Sequence, residues 1–227
     1  MRVARDMAAG ILFAFVLTAP ALAAPPKKVG RALMTFYWVI DESSPRYRGS
    51  RSAVLRDVRG RVIAETNRKF KTDLVMEGTG WLRDGRTVMY EKKVEGESRF
   101  RITSSKYGLG ITGCDLIPYR TLAVDPRFVK LGSKIYIPQL KGARLPDGTI
   151  HDGIFVANDR GHFGGSHVDV FIGAGPSASR PFVRRGYGSR SRVTVYVVDG
   201  STRGDCRATL AAGPGTPRVD GAAARAR

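Results

Sequence analysis

Two aspartates ten positions apart, Asp159 and Asp169, flank a glycine-rich run in "NDRGHFGGSHVDVF" (158–171). A carboxyl whose pKa is raised can hand a proton to a leaving oxygen and take one back, and a neighbouring ionised carboxylate is one way to raise it. The plainer reading of the same residues is structural: Asp159 caps a turn before Gly161, and Asp169 pairs with an arginine on a solvated face. His162 and His167 fall in the same segment and could join the aspartates around a metal. Their spacing is not one of the recurrent zinc patterns, so no metal is expected.

Other chemistries find little support. No serine or cysteine sits in a nucleophile elbow, and the histidines of "HDG", "GHF" and "SHV" are not arranged as a hydrolase triad. "GLGITG" (108–113) has the spelling of a dinucleotide fingerprint, but "CDLIPYR" after it contains Pro118 and has no helical periodicity to place a helix under a pyrophosphate. It reads as a flexible entry to a strand, and no cofactor is expected.

The elements that must carry the aspartates are strands. "RTLAVD", "SKIYIPQ", "DGIFVAN", "HVDVFIG" and "SRVTVYVVD" follow one another closely, separated by Gly, Pro and Asp turn signals, as in a small barrel or sandwich. In "HVDVFIG" the apolar Val168, Val170 and Ile172 alternate with His167, Asp169 and Phe171, which sends Asp169 to the face opposite the valines. Upstream, "MTFYWVI" (34–40) reads as a buried strand that stops at "DESSP". Between the two, an arginine-rich stretch holds "LRDVRGRVI" at 55 and "LRDGRTVMY" at 82, two similar hairpin-like units, with one short helix expected near 68–76. This is an inserted, mostly β lobe.

The 227 residues suit one main domain. Residues 1–23 combine Arg2 and Arg5 with an apolar stretch and end in a small-x-small pattern at Ala21 to Ala23, which reads as a secretory signal. The stretch is too short to span a bilayer and no cysteine follows it to take a lipid, so a periplasmic or otherwise extracytoplasmic protein is expected, neither a lipoprotein nor an integral membrane protein. Cys114 and Cys206 are the only cysteines. In an oxidising compartment they are expected to bridge, with two buried thiols as the alternative. Loss of Arg2, Arg5 and Asp6 with the signal takes the net charge from +18 to +17. Such a surface favours polyanions; for an exported chain these are anionic wall and lipid, not nucleic acid. From 206 onward the low-complexity "AAGPGTPRVDGAAARAR" is expected to be a disordered tail.

Residues 119–173, "YRTLAVDPRFVKLGSKIYIPQL … HDGIFVANDRGHFGGSHVDVFIG", resemble the three-aspartate (3D) domain of the membrane-bound lytic transglycosylase A family and related wall-remodelling proteins. The signature aspartates match Asp125 in "AVDP", Asp159 in "NDRG" and Asp169 in "HVDVF", and "LGSKIYIP" matches the segment after the first. The resemblance implies a mainly β fold, a six-stranded double-psi β-barrel built from 31–41 and 107–200, with the lobe (42–106) inserted. It also implies a lytic transglycosylase that cleaves the bond between N-acetylmuramic acid and N-acetylglucosamine in peptidoglycan and leaves a 1,6-anhydro product. Asp169 would be the single acid and base, Asp159 its assistant and Asp125 structural. "RGHFGGSHV" has no lysine and is one residue shorter than the family's usual loop; its "DRGHF" is similar to the "DRGPF" of the rare lipoprotein A family.

On this reading a groove would take glycan strands, with Arg120, Arg160 and Lys130 attracting carboxylates and Tyr37 or Phe163 stacking on sugar rings. Trp38 is expected in the core, and the protein is expected to be a monomer. The competing class is a non-catalytic glycan-binding or wall-loosening module that uses the same groove.

Overall fold

The computed structural model describes residues 26–199 together with Cys206. The signal expected over 1–23 and the tail from 207 onward lie outside the described residues. The first strand, β1 (Lys27–Asp41), begins at Lys27 rather than 31 and is unusually long at 15 residues. It is followed by β2 (Ala53–Arg56), β3 (Val62–Thr66), α1 (Arg68–Glu77), β4 (Thr79–Trp81), β5 (Thr87–Val94) and β6 (Glu97–Thr103). Then come β7 (Thr121–Val124), β8 (Lys134–Tyr136), β9 (Ile154–Arg160), β10 (His167–Ala174), a one-turn helix α2 (Arg180–Val183) and β11 (Arg192–Asp199).

Six of these strands close on themselves. β1 pairs with β11 antiparallel, β11 with β8, β8 with β9, β9 with β7 in parallel and β7 with β10. The ring shuts where β10 lies parallel to β1, from Leu33 opposite His167 to Val39 opposite Ala174. This is the mainly β, six-stranded barrel that the sequence leads one to expect. Closure leaves no open edge among the six, and the inward side chains, among them Met34, Leu122, Phe155, Val168, Val170, Val193 and Val195, form one buried cluster.

The lobe is an extension of the same sheet. The end of β1 runs past β10 and pairs in parallel with β4, Ile40 opposite Gly80 and Asp41 opposite Trp81, and β5 and β6 continue outward from β4. Both arginine-rich repeats fold as hairpin turns, β2 to β3 and β4 to β5, each closed by an equivalent bond from a turn glycine, Gly60 N–H to the Asp57 carbonyl and Gly85 N–H to the Leu82 carbonyl. Asn67 caps α1 by accepting from the Lys69 N–H, and Phe70 and Leu74 turn inward onto Ile40, Leu55, Val88 and Phe100. Trp38 packs against this cluster and the barrel core at once, so the strand that starts the barrel also joins it to the lobe.

Candidate active site

The pairing registers put four residues in one row across four strands. Asp159 on β9 is opposite Ala123 on β7, Ala123 is opposite Asp169 on β10, and Asp169 is opposite Thr35 on β1. Directly paired residues project from the same face of a sheet, so both carboxyls emerge on the outer side of the barrel, two strand spacings or about 10 Å apart at their Cα atoms. Val168 and Val170 point the other way into the core, as the alternation in "HVDVFIG" requires.

Asp159 reaches this face because of an irregularity. Between Thr121↔Val156 and Ala123↔Asp159, β9 advances three residues while β7 advances two. Phe155 and Ala157 face inward, and strict alternation would send Asp159 inward with them. The extra residue is a β-bulge that turns the carboxylate outward beside Asp169.

The two acids have different surroundings. Asp169 accepts a hydrogen bond from the Thr35 hydroxyl at 2.8 Å. That hydroxyl lies 2.7 Å from His167 Nε2. A hydroxyl has one proton, so when Thr35 donates to Asp169 the imidazole must be the donor to Thr35. Burial raises the Asp169 pKa from 3.8 to about 7; the Thr35 bond opposes this and the charge of Asp159 adds to it. Burial also lowers the pKa of His167, which therefore brings no full positive charge to Asp169 at neutral pH. Asp159 is raised by burial as well, but three donors oppose the rise: the Arg160 N–H at 2.9 Å, the Tyr37 hydroxyl at 3.0 Å and the Ile111 N–H at 3.1 Å. Three donors favour the charged form at Asp159 against one at Asp169, so the ionised carboxylate is the better supported at 159 and the protonated one at 169.

Several supports were not legible in the sequence. Tyr37 is only 8% exposed, with its ring on Phe171 at 5.1 Å, so it presents no face to a sugar and acts as a donor to Asp159. Ile111 belongs to the "GLGITG" segment, which is no flexible strand entry. It is a loop laid against β9, with the Thr112 N–H and hydroxyl both donating to the Asn158 carbonyl. Only glycine fits at 110, where a Cβ would stand 2.3 Å from the Asn158 carbonyl oxygen. Cys114, at the end of this loop, forms a disulfide with Cys206, their Cα atoms 5.3 Å apart. Glu77, at the last residue of α1, brings a third carboxyl from the lobe. Its pKa is raised to about 7 by burial, against a bond from the Trp38 N–H, and Asp169 adds to the rise.

Asp125 is buried at the end of β7 and does not join the row. It accepts from the Arg127 N–H and guanidinium and from the Gly165 N–H at 2.8 Å, and these bonds hold its pKa well below the carboxylate range. It thereby ties down the loop between the other two aspartates, where Gly165 has a left-handed φ of 74°. In that loop Phe163 lies flat on His167, centroids 3.8 Å apart, and packs half-buried against the cluster that holds Tyr37 and Phe171, and a Cβ on Gly161 would strike the Phe163 ring. The Arg160 side chain is exposed beside Asp159, and Lys130 is exposed on the segment after Asp125. Arg120 is not brought to this face. It is buried at the opposite end of β7, in an ion pair with Asp152 and a bond to the Ile154 carbonyl, because the strand start that carries it faces away from the ends bearing Asp125 and Asp159. Among the described residues no group of three or more His, Cys, Asp and Glu is placed to hold a metal ion, and no helix is long and apolar enough to cross a membrane.

A closed six-stranded barrel with two carboxyls on its outer face, beside an inserted lobe, defines the class. Residues 120–199 match the family model of the 3D domain. The chain is a 3D-domain protein with an MltA-like fold. Escherichia coli MltA with bound chitohexaose superposes with a TM-score of 0.54 at 14% identity, over 76% of this chain and 72% of that one. A membrane-bound lytic murein transglycosylase from Agrobacterium tumefaciens gives 0.47 at 15% identity (75% and 74%), and LtgG of Burkholderia pseudomallei 0.40 at 17% (75% and 73%). No curated protein sequence matches the chain.

Proposed function

We propose that the protein is a peptidoglycan lytic transglycosylase that uses Asp169 as its only acid and base. The observation that carries this reading is the raised pKa of Asp169, about 7, on an outward barrel face beside Asp159, whose charged form three hydrogen-bond donors support. The neutral carboxyl donates its proton to the glycosidic oxygen while the bond from that oxygen to C1 of N-acetylmuramic acid breaks and positive charge develops at C1. The resulting Asp169 carboxylate takes the proton of the sugar's own 6-hydroxyl as O6 bonds to C1, closing the 1,6-anhydro ring. Asp169 ends protonated, as it began, and neither water nor a second base takes part. Asp159, held by Tyr37, Ile111 and Arg160, supplies negative charge that raises the Asp169 pKa and favours the cationic centre.

The fold likeness to MltA, a protein crystallised with chitohexaose, supports a sugar polymer as the ligand of this face. Substrate and signal-like leader together point to a site of action outside the cytoplasm, on wall glycan strands. Mass spectrometry of murein digests tests the proposal: the wild type should release 1,6-anhydro muropeptides and Asp169→Asn none, while still sedimenting with murein. Murein binding by the wild type without anhydro product would instead mark a non-catalytic wall-binding module.

A further inference from the structure

A cleft of about 1030 Å³ opens on the inner side of the lobe. Arg68 and Lys71 reach it from one face of α1, Arg56 from the end of β2, and Lys93 and Arg99 from β5 and β6. Against these five cations stands one lining carboxylate, Glu97, which is already bonded to Arg99 Nη1 at 2.8 Å. Arg99 Nε is buried with no hydrogen-bond partner among the described residues. Arg68, Lys71 and Lys93 enter no ion pair among the described residues. Converging like charges repel one another, and a buried unpaired donor is unfavourable, so the arrangement stabilises nothing in the free protein. Both become favourable with an anion in place. Val75, Met76 and Tyr90 add an apolar floor, with Met76 77% exposed.

The position of the cleft narrows the ligand. His162 lines it, in the loop that joins Asp159 to Asp169, and its charge bears on Asp159. The cleft therefore reaches the loop that joins the two acids. We propose that it binds the carboxylates of the peptide stems carried by the glycan strand. This rests on the reading of the chain as a muramic-acid-cleaving enzyme: the sugar whose C1 meets Asp169 is the one whose lactyl group bears the stem, so the two sites would be filled by one ligand. Peptide carboxylates attached to the bound strand suit a cleft of mixed basic and apolar lining better than the phosphates of a separate wall polymer.

The test is binding rather than turnover, so that it stands apart from the catalytic proposal. Labelled, uncross-linked glycan strands with their stems, and the same strands stripped by an amidase, are titrated with Asp169→Asn and followed by fluorescence anisotropy. The stem-bearing strand should bind about tenfold tighter in low salt, and raising the salt to about 0.5 M should erase most of that difference. The double variant Arg68→Gln/Lys71→Gln, and separately Lys93→Gln, all at surface positions, should lower the preference towards one while leaving affinity for stripped strands unchanged. Free stem peptide should displace the stem-bearing strand; inorganic phosphate at matched ionic strength should not. Equal binding of both strands, a preference that survives in the variants, or displacement by phosphate as effective as by peptide would overturn the assignment. Failure of the catalytic reading appears separately, as the absence of anhydro product from either strand with wild-type protein.

Discussion

Replacing Asp169 with Asn should make the protein more stable at pH 8 and leave it nearly unchanged at pH 4. The folded carboxyl titrates at about 7, the unfolded one at its ordinary 3.8. Between those values the unfolded chain has released a proton that the folded chain keeps, so stability falls as pH rises from about 4 to about 7 and is level above. The interval corresponds to ~4 kcal/mol at 1.36 kcal/mol per pH unit. Asn cannot ionise and can still accept from the Thr35 hydroxyl, and the strengthening of that bond by the Asp169 charge is already contained in the folded pKa. The gain at pH 8 is therefore ~4 kcal/mol, or a rise in Tm of about 8–16 °C for a domain of this size. Thermal melts of both proteins across pH 4 to 8 measure it. A Tm difference that is the same at both ends would refute the buried, proton-holding Asp169 on which the mechanism depends, whatever the activity of the variant.

Other outcomes follow from the same geometry. Anhydro-product formation should fall as pH rises through about 7, where Asp169 loses its proton, as read from initial rates against pH. Tyr37→Phe removes a donor 3.0 Å from Asp159 and so raises the Asp159 pKa; with less negative charge nearby, Asp169 should titrate lower and the falling limb should move to lower pH, with about tenfold less activity. Gly110→Ala pushes a methyl to 2.3 Å from the Asn158 carbonyl oxygen, which should lower stability by ~1–3 kcal/mol in denaturant melts and reduce activity by moving the Ile111 N–H off Asp159. Cys206→Ser opens a crosslink between residues 92 apart and should cost up to ~4–5 kcal/mol, with the variant's melt matching that of wild type in reductant.

Much of the scaffold is legible in the chain because it depends on local rules. Alternation in "HVDVFIG" is enough to set Asp169 against the valines, since successive side chains of any strand leave opposite faces. The turn residues of "LRDVRGRVI" and "LRDGRTVMY" are enough to predict two hairpins, and they form. The site's second layer is not legible in this way. The outward aim of Asp159 depends on one extra residue in β9, measured against a partner strand more than thirty residues away in sequence. Tyr37 reads as an exposed aromatic and Arg120 as a groove cation, but burial decides both: one becomes a donor to Asp159 and the other an ion-paired residue at the far end of its strand.

The sequence by itself determined which residues carry chemistry: acids at 125, 159 and 169 on strands or strand ends, a glycine-rich loop between the last two, and an excess of positive charge. Only the tertiary structure decided which acid keeps its proton, because a pKa is set by desolvation and by the number of donors that reach each carboxyl. Those donors, Thr35, Tyr37 and Ile111, come from segments 48 to 134 positions away and meet the aspartates only when the barrel closes.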